Sequence, residues 1–273
     1  MAARIVYSDL DGTMVGPGGC FFLSEDKRLV LDPAQALVDL LAAGVTLVLV
    51  SGRTRPQLVE ACRIFGADGY IGELGSVIGW DQGREHEVLR GAMPAPYVGT
   101  PAQVVEASGV VPRLFDRYRG RLEYHSPWHV GHEGDVMLRG LIDVADAEAW
   151  LAAEGFAWLR ISDNGVLPPR RPTRLDPVAI PAHVYHLMPG GLSKGLAVQR
   201  DLQRRGLPRD AAVAIGDSAS DLTMAPYVDR LWLTANGARH EHMSELLAAH
   251  DNVVICEEAV GLGWAHAVRD ALR

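Results

Sequence analysis

Ile5-Val6-Tyr7-Ser8-Asp9-Leu10-Asp11-Gly12-Thr13 is the stretch on which the fold turns. It opens as a buried strand and ends on two acids separated by one residue. Gly12 then lets the chain turn sharply away, into the loop Gly16-Pro17-Gly18-Gly19. Further on, Asp32 is placed to cap a helix, Pro33 suits its first turn, and Leu37, Leu40 and Leu41 make one apolar face. Gly44 stops that helix. Val45 to Val50 is apolar but for one threonine, the pattern of a strand buried on both faces of a parallel sheet. Strand, helix, strand is a βαβ unit.

The last third repeats the alternation. His183–Leu187, Ala211–Ile215, Leu231–Leu233 and Val253–Ile255 read as strands. Lys194–Arg205, Leu222–Val228, Glu241–Ala249 and Trp264–Leu272 read as helices. The middle differs, being rich in Arg, His, Trp and Pro. Val136–Ile142 and Ala157–Ile161 read as strands flanking a helix over Ala147–Ala153, and residues 168–181 as a proline-rich return. The expectation is an α/β protein: a Rossmann-like, doubly wound parallel core from 1–80 and 183–273, with an α+β domain, 81–182, inserted.

Four short pieces carry the chemistry, each expected just after a buried strand, where α/β sheets bind ligands. Asp9 is set to attack phosphorus as a carboxylate nucleophile. Asp11 is set to protonate the leaving oxygen and then to activate water. Ser51-Gly52-Arg53 fits either a phosphoryl-binding turn or a simple helix cap at Ser51. Lys194, in Ser193-Lys194-Gly195, fits a cation for the transferring group or a solvated lysine in a first helical turn. Asp217 and Asp221, in Gly216-Asp217-Ser218-Ala219-Ser220-Asp221, suit a hard cation such as Mg2+, or a helix cap at Asp217.

Together, in order and strand context, these pieces resemble the haloacid dehalogenase superfamily of phosphatases. The resemblance covers the two core segments. It implies Asp9 as nucleophile, Asp11 as general acid/base, and Ser51, Gly52 and Lys194 as phosphate-binding. It implies Mg2+ held by Asp9, the backbone carbonyl of Asp11, Asp217 and Asp221. The inserted segment is similar to the large cap of the Cof-like, sugar-phosphatase branch, which implies a small phosphorylated substrate chosen by the cap. Two departures are visible: Ser220 stands where that branch often has Asn, and Leu74-Gly75 where it often has Asn-Gly.

The inserted segment offers His125, His129, Arg139 and Asn164 as further substrate contacts, with Arg53 from the core. The spacing of His125, His129 and His132 also fits a zinc site, or ordinary loop packing. Arg113, Arg117, Arg119 and Arg121 fit an anion-attracting patch or a solvated helix face. Three other functions stay open: a phosphomutase, a non-catalytic phospholigand-binding protein, and a serine esterase. The esterase rests on Gly191-Leu192-Ser193-Lys194-Gly195, with Asp217 and His240 or His266 following in triad order.

Net charge is −8 over 273 residues, which disfavours nucleic acid as a partner. Cys20, Cys62 and Cys256 are far apart, without metal or disulfide spacing, so a reducing cytoplasm is expected. No apolar run nears the roughly 20 residues of a membrane span, and no signal peptide is visible. The sequence is silent on oligomeric state.

Overall fold

The computed structural model describes residues 3–96, 98–167 and 173–273. They divide into two compact units: residues 3–87 with 193–273, and residues 88–192.

The first leg of the first unit holds β1 (Ile5–Asp9), α1 (Asp32–Ala42), β2 (Thr46–Val50), α2 (Arg55–Phe65), β3 (Gly69–Gly72), β4 (Val77–Trp80) and β5 (Glu85–Val88). The second unit holds α3 (Pro101–Ala107), α4 (Val110–Arg117), β6 (Leu122–Tyr124), β7 (Val136–Gly140), α5 (Val144–Ala153), β8 (Leu159–Leu167) and β9 (Ala182–Pro189). The chain returns with α6 (Lys194–Arg205), β10 (Ala212–Gly216), α7 (Ala219–Leu222), β11 (Arg230–Leu233), α8 (Ala235–Ala238), α9 (Met243–Leu247), β12 (Val253–Ile255) and α10 (Val260–Ala271).

The first unit is built on one sheet in the order β12-β11-β10-β1-β2-β3-β4-β5. From β12 to β3 all neighbours are parallel, and β3 with β4 is antiparallel. β1 lies between β2 and β10, so it is covered on both edges and both faces, and every residue of it is buried. That is why it is written almost wholly in apolar residues. The strand order reverses around β1, and there the carboxyl ends of β1, β2 and β10 deliver Asp9, Ser51 and Asp217 to one end of the sheet.

The second unit is a four-stranded antiparallel sheet, β6-β7-β9-β8. Its core includes Leu114, Leu138, Leu151, Leu159, Tyr185 and Leu187.

The observed division corrects the expected boundaries. Residues 81–87 extend the first sheet through β5, and residues 183–192 belong to the second unit. The strand expected at 183–187 exists, but as part of β9, pairing antiparallel with β7 and β8. An apolar run states that a strand is buried, not which sheet buries it. The helix expected over 222–228 is shorter and earlier, at α7, because Pro226 fits the 3-10 turn Ala225–Tyr227 that follows. Of the proline-rich return, residues 168–172 lie outside the described residues. Among the described residues no helix is long and apolar enough to cross a membrane.

Candidate active site

Asp9 is the last residue of β1 and is buried. Lys194, the first residue of α6, donates to Asp9 Oδ1 at 2.8 Å and to Asp221 Oδ1 at 2.7 Å. The ammonium is itself buried and joins three distant parts of the chain. Burial works against its charge, yet Asp221 and Asp9 hold it above the usual lysine range.

Asp221 is fixed from several sides. Its Oδ2 accepts from the backbone N–H groups of Asp217 (3.0 Å) and Ser218 (2.9 Å) and from the Ser218 hydroxyl (2.7 Å). With Lys194 on Oδ1, both oxygens are engaged. Asp217 sits just past β10, where Oδ1 accepts from the Thr13 hydroxyl at 3.1 Å and Oδ2 from Asn236 Nδ2 at 3.0 Å. Asn236 also donates to the Gly12 carbonyl at 2.9 Å, and its own Oδ1 accepts from the Val260 N–H. One amide thereby ties the loop after β1 to the loop after β10.

Two glycines are there because nothing larger fits. Gly12 has φ +91°, and a Cβ on it would stand 2.3 Å from Asp217 Oδ2. Gly75, in the turn after β3, has φ +103°, and a Cβ would stand 2.2 Å from the Ser193 carbonyl oxygen. Glu73 and Leu74 in the same turn also have positive φ, a conformation that costs non-glycine residues on the order of 1 kcal/mol or more each. The strained turn packs under the start of the helix that carries Lys194.

Asp9, Asp217 and Asp221 each present a carboxylate oxygen within 4.8 Å of the other two. Burial, with Asp221 and Asp217 nearby, pushes the Asp9 carboxyl well above its ordinary range despite Lys194. Burial and Asp221 push Asp217 up to about 7. Three clustered carboxylates against one ammonium are short of positive charge, and an all-oxygen donor set of this kind fits a hard divalent cation.

Asp11 takes a different environment. Its side chain is 54% exposed, and Arg53 clamps it bidentately, Nε to Oδ2 at 2.7 Å and Nη2 to Oδ1 at 2.6 Å. Arg53, expected to meet substrate, is spent on the candidate acid/base. Ser51 is buried after β2, and its Oγ accepts weakly from the Arg53 N–H at 3.3 Å. The helix cap that Ser51 was weighed for belongs to Thr54, which shares a capping box with Gln57.

The other candidates disperse. Arg139 is buried in β7 and paired with Glu123 at 2.7 Å, which makes it a sheet ion pair and not a surface contact. His125 is buried; His129 stacks on Tyr124 at 4.8 Å between ring centroids; Asn164 lies exposed on β8. Arg113 pairs with Glu154, Arg117 with Asp146 and Arg119 with Asp116, the pattern of a solvated helix face. Ser193 is the N-cap of α6: its Oγ accepts the Leu196 N–H at 3.2 Å, in extended backbone and not in a nucleophile elbow. Asp217 is bound to Thr13 and Asn236, and His266 pairs with Asp270 on its own helix. Among the described residues no esterase triad is assembled around Ser193.

Thr13 and Asn236 were missed. Both had a signal: Thr13 ends the opening motif, and Asn236-Gly237 follows a buried strand.

A family model described as haloacid dehalogenase-like hydrolase matches residues 168–241, the segment that holds Lys194, Asp217 and Asp221. A phosphoglycolate phosphatase of Methanoculleus marisnigri is 25% identical over 270 residues, 97% of this chain and 95% of its own. Among solved structures, a Thermoplasma acidophilum protein superposes with TM-score 0.67 at 15% identity, over 99% of each chain. The sucrose-phosphatase of Synechocystis, solved with sucrose and phosphate, gives 0.66 at 14% identity, over 99% of this chain and 98% of its own. Over residues 168–241 the chain is similar to haloacid dehalogenase-like hydrolases.

Proposed function

We propose that the protein is a Mg2+-dependent phosphomonoester hydrolase that works through an aspartyl-phosphate on Asp9. The observation that carries this reading is the buried Asp9 carboxylate at a strand end, 2.8 Å from Lys194 and clustered with Asp217 and Asp221. A carboxylate so placed is a nucleophile held beside its own countercharge.

Asp9 attacks phosphorus in line, and the bond to the leaving oxygen breaks as the Asp11 carboxyl delivers its proton there. Asp11, now ionised and held in place by Arg53, takes a proton from water. The water oxygen attacks phosphorus, the bond to Asp9 breaks, and phosphate is released. Lys194 neutralises charge on the transferring group, and Ser51 with the Gly52 turn binds its oxygens. Magnesium held by Asp9, the Asp11 carbonyl and Asp217, with Asp221 orienting, would supply the charge that lets an anionic ester approach an anionic nucleophile.

The choice of leaving group falls to residues 88–192, which interrupt the motif set between Ser51 and Lys194. A small phosphorylated metabolite is the substrate class, with sugar phosphates and sugar-phosphoglycerates first and 2-phosphoglycolate added by the curated relative. The widely spaced, free cysteines support a cytoplasmic setting.

The test is p-nitrophenyl phosphate hydrolysis by wild type and Asp9→Asn, with Mg2+ and with EDTA, followed by a phosphometabolite panel. Activity that needs both Mg2+ and Asp9 supports the mechanism. Activity that survives EDTA and Asp9→Asn ends it. Return of the phosphoryl group to a second position of the substrate would make the enzyme a mutase, and tight ligand binding without turnover a binding protein.

A further inference from the structure

The second unit holds a cluster that the proposed reaction does not use. Asp135 closes the loop before β7, and His186 lies on β9 opposite Met137; both are fully buried. The His132 side chain is 2% exposed. Each of the three presents a ligating atom within 4.8 Å of the other two. His186 Nδ1 shares a hydrogen bond with Asp135 Oδ2 at 3.0 Å, and His132 Nδ1 lies 2.9 Å from Asp135 Oδ1.

Two details set this cluster apart from a closed hydrogen-bond network. Asp135 Oδ1 lies 2.9 Å from His132 Nδ1 and has no other hydrogen-bond partner among the described residues. His186 Nε2 is buried with no hydrogen-bond partner among the described residues. Both oxygens of Asp135 thus face an imidazole nitrogen. Ligand atoms around a tetrahedral zinc at its usual bond lengths stand about 3.3 Å apart. The two separations from Asp135, 3.0 and 2.9 Å, are within a few tenths of an ångström of that.

We propose that His132, Asp135 and His186 form a binding site for a zinc-class divalent cation inside the second unit. Two imidazoles and one carboxylate are the donors that zinc favours, whereas the all-carboxylate cluster of the first unit favours magnesium. The sequence spacing had pointed to His125, His129 and His132. The fold keeps His132 and replaces the other two with residues from the start of β7 and from β9. The metal ties together positions 51 residues apart, Asp135 and His186. It fixes the 125–135 loop to the centre of the sheet and stabilises the unit by mass action.

The test uses the full chain saturated with Mg2+, so that the carboxylate site is occupied. Zn2+ or Co2+ is added, the protein is desalted, and retained metal is counted; the visible d–d absorption of bound Co2+ is read in parallel. One zinc per chain is expected in wild type and equally in Asp217→Asn, with a melting temperature that rises with zinc. His132→Gln and His186→Gln are expected to weaken retention 10- to 100-fold. Wild type that retains no stoichiometric zinc beside Mg2+ overturns the proposal. So does zinc that wild type retains and Asp217→Asn loses, because it would then sit in the first unit. These two arms decide the matter whether or not the histidine variants fold.

Discussion

The two units each bury a carboxylate cluster, and burial raises the cost of charge in both, yet the outcomes are opposite. In the first unit Asp9, Asp217 and Asp221 share one ammonium, and the Asp9 and Asp217 carboxyls are pushed up. In the second unit Asp135 stands between two imidazoles, which hold it well below the usual carboxylate range in spite of its burial. Depth does not decide the charge state; the neighbours do. The first cluster lacks positive charge and gains it only when a cation arrives. The second already meets its carboxylate with two imidazoles.

The sharpest way to break this contrast is to neutralise one carboxylate in each. Asp9→Asn should lower kcat by at least about 10^4-fold, as loss of a covalent nucleophile does. Asp135→Asn should leave kcat within a few-fold and instead lower stability by about 1–3 kcal/mol, because it takes the carboxylate partner from the buried His186. Steady-state kinetics and urea unfolding on both variants read the two effects. A large loss of kcat in Asp135→Asn would erase the distinction between the units.

Lys194→Met removes the ammonium that answers the first cluster. A fall in kcat of about 10^2- to 10^3-fold is expected. Recovery on addition of a small alkylamine would sharpen the assignment of charge over shape.

Opposite shifts give opposite pH dependences. For metal-free protein, the raised Asp217 carboxyl binds its proton in the folded state below about 7, while the unfolded chain holds it only near 3.8. Stability from this group therefore falls as pH rises between those values, by up to about 1.4 kcal/mol per unit. Asp135, being lowered, contributes stability above its unfolded value that is lost as pH falls through the folded one. Denaturation in EDTA from pH 4 to 7 should show the Asp217 slope flatten in Asp217→Asn, and Mg2+ binding should weaken over the same window as protons compete.

Arg53→Met frees Asp11 from its clamp and should cost kcat about tenfold, a part of the general acid–base contribution, with little change in thermal stability. The smallest effect belongs to the solvated arginines. Arg117→Ala should change stability by about 0.5 kcal/mol or less and leave KM for every phosphate ester unmoved. A raised KM would restore the anion patch.

Much of the first unit was legible because its site is written at strand ends. A buried parallel strand leaves a continuous apolar run, and the acid that follows is conspicuous: Asp9 and Asp217 are the cases in point. Lys194 was legible as a cation at a helix start, where its charge opposes the dipole. Arg53 on Asp11 was not, since side-chain pairing across 42 positions leaves no local pattern. β9 was misplaced for the same reason: antiparallel partners are chosen in space. The cluster at Asp135 was half visible, through His132 alone, because one of its members comes from a strand about 50 residues further on.

The bond between Lys194 and Asp9 spans 185 positions, and that fact has a bearing on how the protein is made. A ribosome releases β1 first and β10 long after, so for most of synthesis β1 can pair with β2 but has an open edge where β10 will lie. An apolar strand with a bare edge is a template for unwanted pairing. Asp9 meanwhile waits in water, without its ammonium, until the last third of the chain arrives. Assembly of the sheet's centre and pairing of Asp9 with Lys194 are thus one event, late in the life of the nascent chain.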